Sequence, residues 1–245
     1  VIQLVGRDPG AMAEGVRMAE KAGAEIIDLN FGCPAKEVTG GLSGSALMRD
    51  LDRAEGLIRA ATEATDRPVT VKMRLGWDDA SKNAPELAAR AEACGVKAVT
   101  VHGRTRQQFY KGSADWSAVA AVKREVAIPV IVNGDVVDAL SAREALRQSG
   151  ADAVMLGRGI YGRPWLAPAV EDALNGEGAD REPDAPERLA IVLDHFRDAL
   201  GFYGDRLGLK IFRKHLGWYV EQAPRPTDPA ERRAAKAELC RLDSP

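Results

Sequence analysis

The sequence is poor in cysteine, with only three residues, Cys33, Cys94 and Cys240, in 245. Their number is odd and their spacing is wide, and none forms a CxxC pair. This pattern excludes a disulfide framework and a zinc finger, and it favours a reducing compartment. We therefore expect a cytoplasmic protein without a metal site.

Other absences narrow the class further. No apolar run reaches the length of about 20 residues that crosses a bilayer, and no signal peptide opens the chain, so we expect no membrane contact. The formal net charge is only -2, which excludes a polyanion binder that acts through bulk charge. No GxGxxG motif follows a strand, and "GGLSG" lacks the GK[ST] of a nucleoside triphosphate loop.

A repeated pattern indicates the architecture. The segments "KAGAEIIDLN", "ACGVKAVTVH" and "QSGADAVMLG" each end a helix at glycine and continue as an apolar strand. "VIQLVG", "RPVTVKMR" and "IPVIVNGD" add three strands, and the six read as near-continuously apolar, as in a parallel sheet buried on both faces. Amphipathic helices lie between them, including one long helix over "ALMRDLDRAEGLIRAATEAT".

Alternation of strands and helices predicts an α/β fold with a parallel sheet. We expect a (β/α)8 TIM barrel that lacks its first two strands in this chain, because the sequence opens on a strand and no Met precedes it. A doubly wound open sheet is the alternative.

The strand pattern stops near residue 174, which predicts three regions. Residues 1–174 form the barrel, and the polar, Gly- and Pro-rich residues 175–185 form a linker. Residues 186–245 form a small all-helical domain with eleven Lys and Arg against nine Asp and Glu. Its slight positive charge favours an anionic partner.

Polar residues stand near the carboxyl end of every predicted strand, where parallel barrels carry their active sites. They are Gln3, Asn30, Cys33, Lys72, Arg74, His102, Arg104, Asn133, Asp135 and Arg158. Each has an ordinary structural interpretation, such as a lysine that extends to the rim or a hydrogen-bonded core histidine. Together they predict a functional cleft, because polar groups in apolar strands are costly unless paired. "GRG" after the last strand favours a phosphate group.

These motifs, in this order, resemble the tRNA-dihydrouridine synthases. The resemblance rests on "NFGCPAKEVTGGLSGSAL", "VKMRLGW", "VHGRTR", "VNGD" and "MLGRG", and it extends to "IFRKHLGWY" in the helical tail. "VHGRTRQQFYKG" is most similar to the bacterial B-type branch. The resemblance implies an FMN-containing barrel with a helical tRNA-binding domain, which reduces specific uridines in tRNA to 5,6-dihydrouridine with NADPH as reductant.

The resemblance also assigns site residues. Cys33 matches the proton donor of the family. The positions implied for FMN are Gln3, Lys72, His102, Asn133, Gly134, Asp135, Gly157 and Arg158. Asn30 and His102 match positions near the target base and the flavin, and Asn30 and Arg104 are predicted to bind the substrate. In the tail, Lys210, Arg213 and Lys214 have the i, i+3, i+4 spacing that places cations on one helix face, and we expect them to contact tRNA phosphates.

We expect the protein to be a monomer. Three other functions remain open at this level. One is an FMN-dependent dehydrogenase of a free pyrimidine, of the dihydroorotate or dihydropyrimidine type. The second is an aldolase that forms a Schiff base on Lys72. The third is an RNA-binding module without catalysis, which leaves the polar strand ends unexplained.

Overall fold

The structure, a computed structural model, describes residues 1–177 and 182–241. It consists of two compact units. The first comprises Val1–Val136 and Leu140–Leu156, and the second comprises Val137–Ala139 and the described residues from Gly157 onward. Four residues of the predicted linker, 178–181, lie outside the described residues.

The first unit is built on six parallel strands, as predicted. They are β1 (Ile2–Leu4), β2 (Ile27–Phe31), β3 (Val69–Arg74), β4 (Ala98–His102), β5 (Val130–Asn133) and β6 (Ala153–Met155). Their order in the sheet is the order in the chain. A doubly wound sheet reverses direction at a switch point, so the sequential order excludes that alternative. The fold is α/β, with six strands arranged as in a TIM barrel and a helical region after them.

Six helices connect or follow these strands. They are α1 (Pro9–Lys21), α2 (Lys36–Thr39), α3 (Leu51–Thr62), α4 (Ala84–Ala93), α5 (Trp116–Glu125) and α6 (Ala139–Ser149). The single helix predicted over residues 46–65 is wrong at its start, where a 3-10 helix, Gly44–Arg49, precedes α3. Asp50 separates the two because its backbone is not helical, with φ -146° and ψ 83°, and its side chain accepts a hydrogen bond from the Arg53 N–H at 3.1 Å.

The strands have one apolar and one polar face, which corrects the expectation of continuous apolarity. On one face, Leu29, Val71 and Val99 are fully buried and lie in register. α1, α4 and α5 pack against the strands. The opposite face carries rows of polar side chains at alternate positions. One row contains Asn30, Lys72 and Thr100, and the next contains Arg74, His102 and Asn133.

The second unit is helical in its described residues. A 3-10 helix (Arg158–Ile160) and α7 (Leu166–Asn175) precede α8 (Ala185–Tyr203), α9 (Asp205–Gln222) and α10 (Pro229–Leu239). Asp184 and Glu187 form a capping box at the start of α8, and Gly204 separates α8 from α9. Across the described ranges, no helix combines the length and apolarity needed to cross a membrane.

Candidate active site

Cys33 lies immediately after β2, at the start of a loop that the structure holds at both ends. Its backbone N–H donates to the side-chain oxygen of Asn30 at 2.9 Å. Its carbonyl oxygen accepts from the hydroxyl of Ser45 at 2.8 Å and from the Ser45 N–H at 3.1 Å. Ser45 is fully buried, whereas Cys33 is half-buried. The thiol is therefore partly accessible on a fixed backbone.

Gly44 closes this loop against Cys33. It has a φ of +58°, and a Cβ placed there would lie 2.9 Å from the Cys33 carbonyl oxygen and 2.8 Å from Cγ1 of Val38. Both the backbone conformation and the lack of space therefore require glycine. The sequence motif "GGLSG" is explained here by close packing around the thiol loop.

A chain of side-chain hydrogen bonds sets the orientation of Asn30. Asp28 accepts from the Gln3 amide at 2.6 Å, and the Gln3 oxygen accepts from the Asn30 amide at 2.8 Å. The Asn30 oxygen is therefore the atom that faces the Cys33 N–H. Thr70 also donates to Asp28, at 2.6 Å, and burial raises the pKa of this carboxyl group.

Asp28 was missed at the level of sequence. It lies two residues before Asn30, so a period of two along β2 places both side chains on the polar face. Reading the strands with that period, instead of reading only their ends, would have found it.

Lys72 lies in the middle of the polar face. Its ammonium group donates to the Asn133 side-chain oxygen at 3.1 Å, and the Asn133 amide donates to the Met155 carbonyl at 2.8 Å. Burial lowers the pKa of Lys72, and the charge of Arg74 lowers it further, while Asp28 and Cys33 act in the opposite direction. Burial and Arg74 thus oppose the charge of Lys72, and Asp28 favours it.

His102 is a buried neutral imidazole. Burial and the cations Arg74, Lys72 and Arg104 lower its pKa to about 3. Nη1 of Arg104 lies 3.2 Å from Nε2 of His102. Since a guanidinium only donates, Nε2 accepts, and the neutral ring carries its hydrogen on Nδ1. His102 therefore offers a hydrogen-bond donor at Nδ1.

Arg104, which is predicted to bind the substrate, is buried and bonded to protein groups. The side chain is 2% exposed, and it donates to the carbonyls of Lys111 at 3.1 Å and Gly112 at 2.7 Å. It also pairs with Asp135 at 2.6 Å. Burial alone would raise the pKa of Asp135, but the bonds from Arg104 and from the Ala114 N–H lower it. Arg104 and Asp135 thus hold the loop after β4.

Arg74 is also buried, and it joins two loops. Its Nε donates to the Gly32 carbonyl at 2.8 Å, and its Nη1 donates to the carbonyls of Thr105 at 3.0 Å and Phe109 at 2.9 Å. Burial lowers the pKa of Arg74 to about 10, so it stays charged at neutral pH. The loop after β2 and the loop after β4 share this guanidinium.

The structure brings most of the predicted site residues of the first unit to one sheet face. Gln3, Asn30, Lys72, His102 and Asn133 occupy that face. Gly134 follows Asn133 with a φ of +114°, and a Cβ there would lie 2.8 Å from the His102 ring. Gly157 and Arg158 are exposed and belong to the second unit.

In the second unit, the predicted cations lie on α9. Lys210 and Lys214 are exposed, whereas Arg213 is half-buried and its carbonyl oxygen accepts from the Cys240 thiol at 3.4 Å. Arg206, which is exposed and was not predicted, extends the line at i, i+4, i+8 with Lys210 and Lys214. The exposed cations of α9 are thus Arg206, Lys210 and Lys214.

Aromatic packing holds α9 within this unit. Trp218 stacks on Tyr161 with ring centroids 4.0 Å apart, and the hydroxyl of Tyr219 lies 3.0 Å from Nδ1 of His195. Tyr219 is buried and Trp218 half-buried. Gly162 approaches the Trp218 carbonyl so closely that a Cβ would lie 2.2 Å from it. Both aromatics thus belong to the packing of the second unit.

The strands are parallel and sequential, and polar side chains gather toward their carboxyl ends. This arrangement defines an enzyme of the β/α-barrel type. The family model described as dihydrouridine synthase matches residues 1–239. The chain belongs to the dihydrouridine synthase family, which confirms the predicted family.

Individual relatives agree with this result. A protein of Rhodobacter capsulatus named "Probable tRNA-dihydrouridine synthase" is 54% identical over 100% of this chain and 73% of its own length. A Rickettsia conorii protein with the same name is 52% identical over 91% of this chain and 67% of its own length. "tRNA-dihydrouridine synthase B" of Klebsiella pneumoniae is 43% identical over 90% of this chain and 69% of its own length.

Solved structures show similarity of the fold alone. The N-succinyl Arg/Lys racemase of Bacillus cereus has a TM-score of 0.52 at 15% identity, over 73% of this chain and 42% of that chain. A dipeptide epimerase of Enterococcus faecalis has a TM-score of 0.53 at 16% identity, over 73% of this chain and 45% of that chain.

Replacement of Gly44 by alanine tests the packing of the thiol loop. We expect Gly44→Ala to lower the free energy of unfolding by about 1–3 kcal/mol, because the positive φ and the contact with Cys33 both oppose a Cβ. Gly56→Ala is the control. Gly56 lies inside α3, where a Cβ would meet open space, so this change should stabilise by about 0.5–1 kcal/mol. Urea denaturation measures both values, and equal effects would contradict the packing argument.

The low pKa of His102 predicts an acid-dependent loss of stability. Below about pH 6.5 the unfolded chain binds a proton at this residue, whereas the folded protein does so only near pH 3. The free energy of unfolding should therefore fall with decreasing pH, by up to about 1.4 kcal/mol per pH unit from this residue. His102→Gln, which keeps an acceptor for Arg104, should remove that part of the slope. Imidazole NMR should show no titration of His102 between pH 5 and 8, and a midpoint near 6 would contradict the assignment.

Proposed function

We propose that this protein reduces specific uridines in tRNA to 5,6-dihydrouridine, with FMN as cofactor, NADPH as reductant and Cys33 as the proton donor. One observation carries the proposal: a half-buried cysteine is fixed at the end of β2 by Asn30, which lies in register with Lys72 on the polar face. Membership of the dihydrouridine synthase family and the names of the relatives support it.

The reaction saturates the C5=C6 bond of uracil, which requires a hydride at C6 and a proton at C5. In our proposal the Cys33 thiol gives its proton to C5, which is general acid catalysis. Hydrogen bonds with Asn30 and Ser45 hold the backbone of Cys33, which restricts the position of the thiol. Asn30 also borders the base, and Lys72 stabilises negative charge that develops on a carbonyl oxygen.

The polar face has donors that suit a flavin ring. Lys72 keeps two ammonium N–H groups beyond its bond to Asn133, and His102 presents Nδ1–H. Flavin carbonyl oxygens and ring nitrogens are acceptors, so this donor set fits FMN. When bound, FMN supplies the hydride for C6. The proposed FMN contacts are Gln3, Lys72, His102, Asn133, Gly134, Asp135, Gly157 and Arg158, with Arg104 as the support of Asp135.

The helical region from residue 186 onward is proposed to bind tRNA through the exposed cations of α9. The target uridine has to leave its stack to reach a flavin, and contacts elsewhere on the RNA can offset that cost. We further propose that the protein works as a monomer in the cytoplasm, where its three free cysteines stay reduced.

Replacement of Cys33 by alanine tests the proton donor. We expect Cys33→Ala to keep its FMN and its flavin reduction by NADPH, and to lose dihydrouridine formation on the order of 100-fold or more. Cys94→Ala, which removes another half-buried thiol, is the matched control and should keep full activity. Loss of flavin reduction in Cys33→Ala would contradict the assignment. So would substrate trapped on Lys72 by borohydride, because the lowered pKa of Lys72 also suits a Schiff base.

Removal of two exposed cations of α9 tests tRNA binding. Lys210→Ala/Lys214→Ala should raise the Kd for tRNA and reduce the log–log salt slope by about two, one for each lost phosphate contact. Arg213 stays in place because it is half-buried. Arg197→Ala/Arg233→Ala removes two exposed charges from α8 and α10 and should change neither value. An equal change of the Kd and of the salt slope in both variants would mean that tRNA binding depends only on net charge.

A further inference from the structure

Two arginines share one tryptophan in the first unit. The guanidinium carbon of Arg49 lies 4.8 Å from the centroid of the Trp77 ring, and that of Arg106 lies 4.7 Å from it. The two carbons are therefore at most about 9.5 Å apart, the sum of these distances. We call Arg49, Trp77 and Arg106 the Trp77 cluster.

The cluster carries two positive charges without a matching acid. Within residues 1–177 and 182–241, neither Arg49 nor Arg106 forms an ion pair with a carboxylate. Arg49 is exposed, and Nε of Arg106 is buried without a hydrogen-bond partner in the same part of the chain. Two cations on one aromatic ring do not neutralise each other, and a buried N–H without a partner is unfavourable. A phosphate at the terminal nitrogens of the two guanidinium groups would offset their charge.

Loop packing alone does not require these guanidinium groups. Backbone bonds already join the two loops, since Arg106 N–H donates to the Gly76 carbonyl at 2.9 Å and Gln107 N–H donates to the Trp77 carbonyl at 3.0 Å. An exposed cation–π contact adds only about 0.5–1 kcal/mol. The charges of the cluster are therefore available for a ligand.

The cluster borders the proposed active site. Arg49 ends the 3-10 helix that begins at Gly44, against Cys33. Trp77 follows β3 by three residues, and Arg106 follows β4 by four. All three thus lie on chain segments that leave the carboxyl ends of β2, β3 and β4, the end of the sheet that carries the thiol.

We propose that the Trp77 cluster binds backbone phosphates of the tRNA next to the target uridine. The inference rests on the proposed function and adds a substrate contact on the barrel unit. Guanidinium groups bind phosphate through paired N–H donors, and the indole holds the two groups in place. Cations interleaved with an aromatic ring suit a nucleic-acid strand, which presents successive phosphates. The other source of nucleotide phosphates is NADPH, and the experiment separates the two.

The test compares Arg49→Gln, Arg106→Gln and the double variant in the FMN-loaded protein. Each single change should raise the Kd for tRNA by about threefold to tenfold and lower the log–log salt slope by about one, measured between about 50 and 200 mM salt. Arg17→Gln is the control, because Arg17 is an exposed arginine on α1 without an ion pair to any described carboxylate. It should bind tRNA as the parent does. Thermal melting checks that each variant is folded.

A second arm measures flavin reduction by NADPH without tRNA. The KM for NADPH should be the same in the parent and in every variant. An increased KM with an unchanged Kd for tRNA would overturn the proposal and assign the cluster to the reductant. If Arg49→Gln and Arg106→Gln bind tRNA with the affinity and salt slope of the parent, the cluster is only a packing contact and the proposed function stands. A parent protein that binds no tRNA overturns both.

Discussion

The buried guanidinium of Arg74 is the interaction on which the candidate site depends. It would be costly to bury this charge without partners, and three main-chain carbonyls provide them. One belongs to Gly32, next to Cys33, and the others belong to the loop after β4. The position of the thiol and the shape of the neighbouring loop are therefore set by the same side chain. Arg104 provides a second such anchor, between Asp135 and the main chain near Lys111.

The polar face of the sheet is organised by hydrogen bonds that pass from one strand to the next. An ionised Asp28 side chain accepts hydrogen bonds and donates none, so it fixes the orientation of the Gln3 amide. Gln3 in turn fixes the orientation of the Asn30 amide. The Asn30 oxygen is then directed to the backbone of Cys33. On the other side, Lys72 and Asn133 connect β3 to β5. Most of these side chains are thus held in place by a hydrogen bond to a side chain on another strand.

Much of the fold was predictable from local patterns. Gly-ended helices and apolar strands predicted six parallel strands, and the structure adds their sequential order, which alternation with helices leaves open. The helix boundary at Asp50 was missed, because apolar periodicity continues through it while the cap interrupts the backbone. The strand ends predicted where the site lies. They did not predict that Arg104 pairs with Asp135, because contacts between distant segments leave no local signal.

The two-faced strands have a consequence for how the length of this protein can change. In a strand, a shift of one residue moves every side chain to the opposite face. One insertion within β3 would carry Lys72 toward the helices and Val71 or Met73 into the polar rows, so core and site would fail together. Residues can be gained or lost only in the connecting segments. Variation of length in this architecture is thus confined to the segments between the strands, while the strands can vary only by substitution in place.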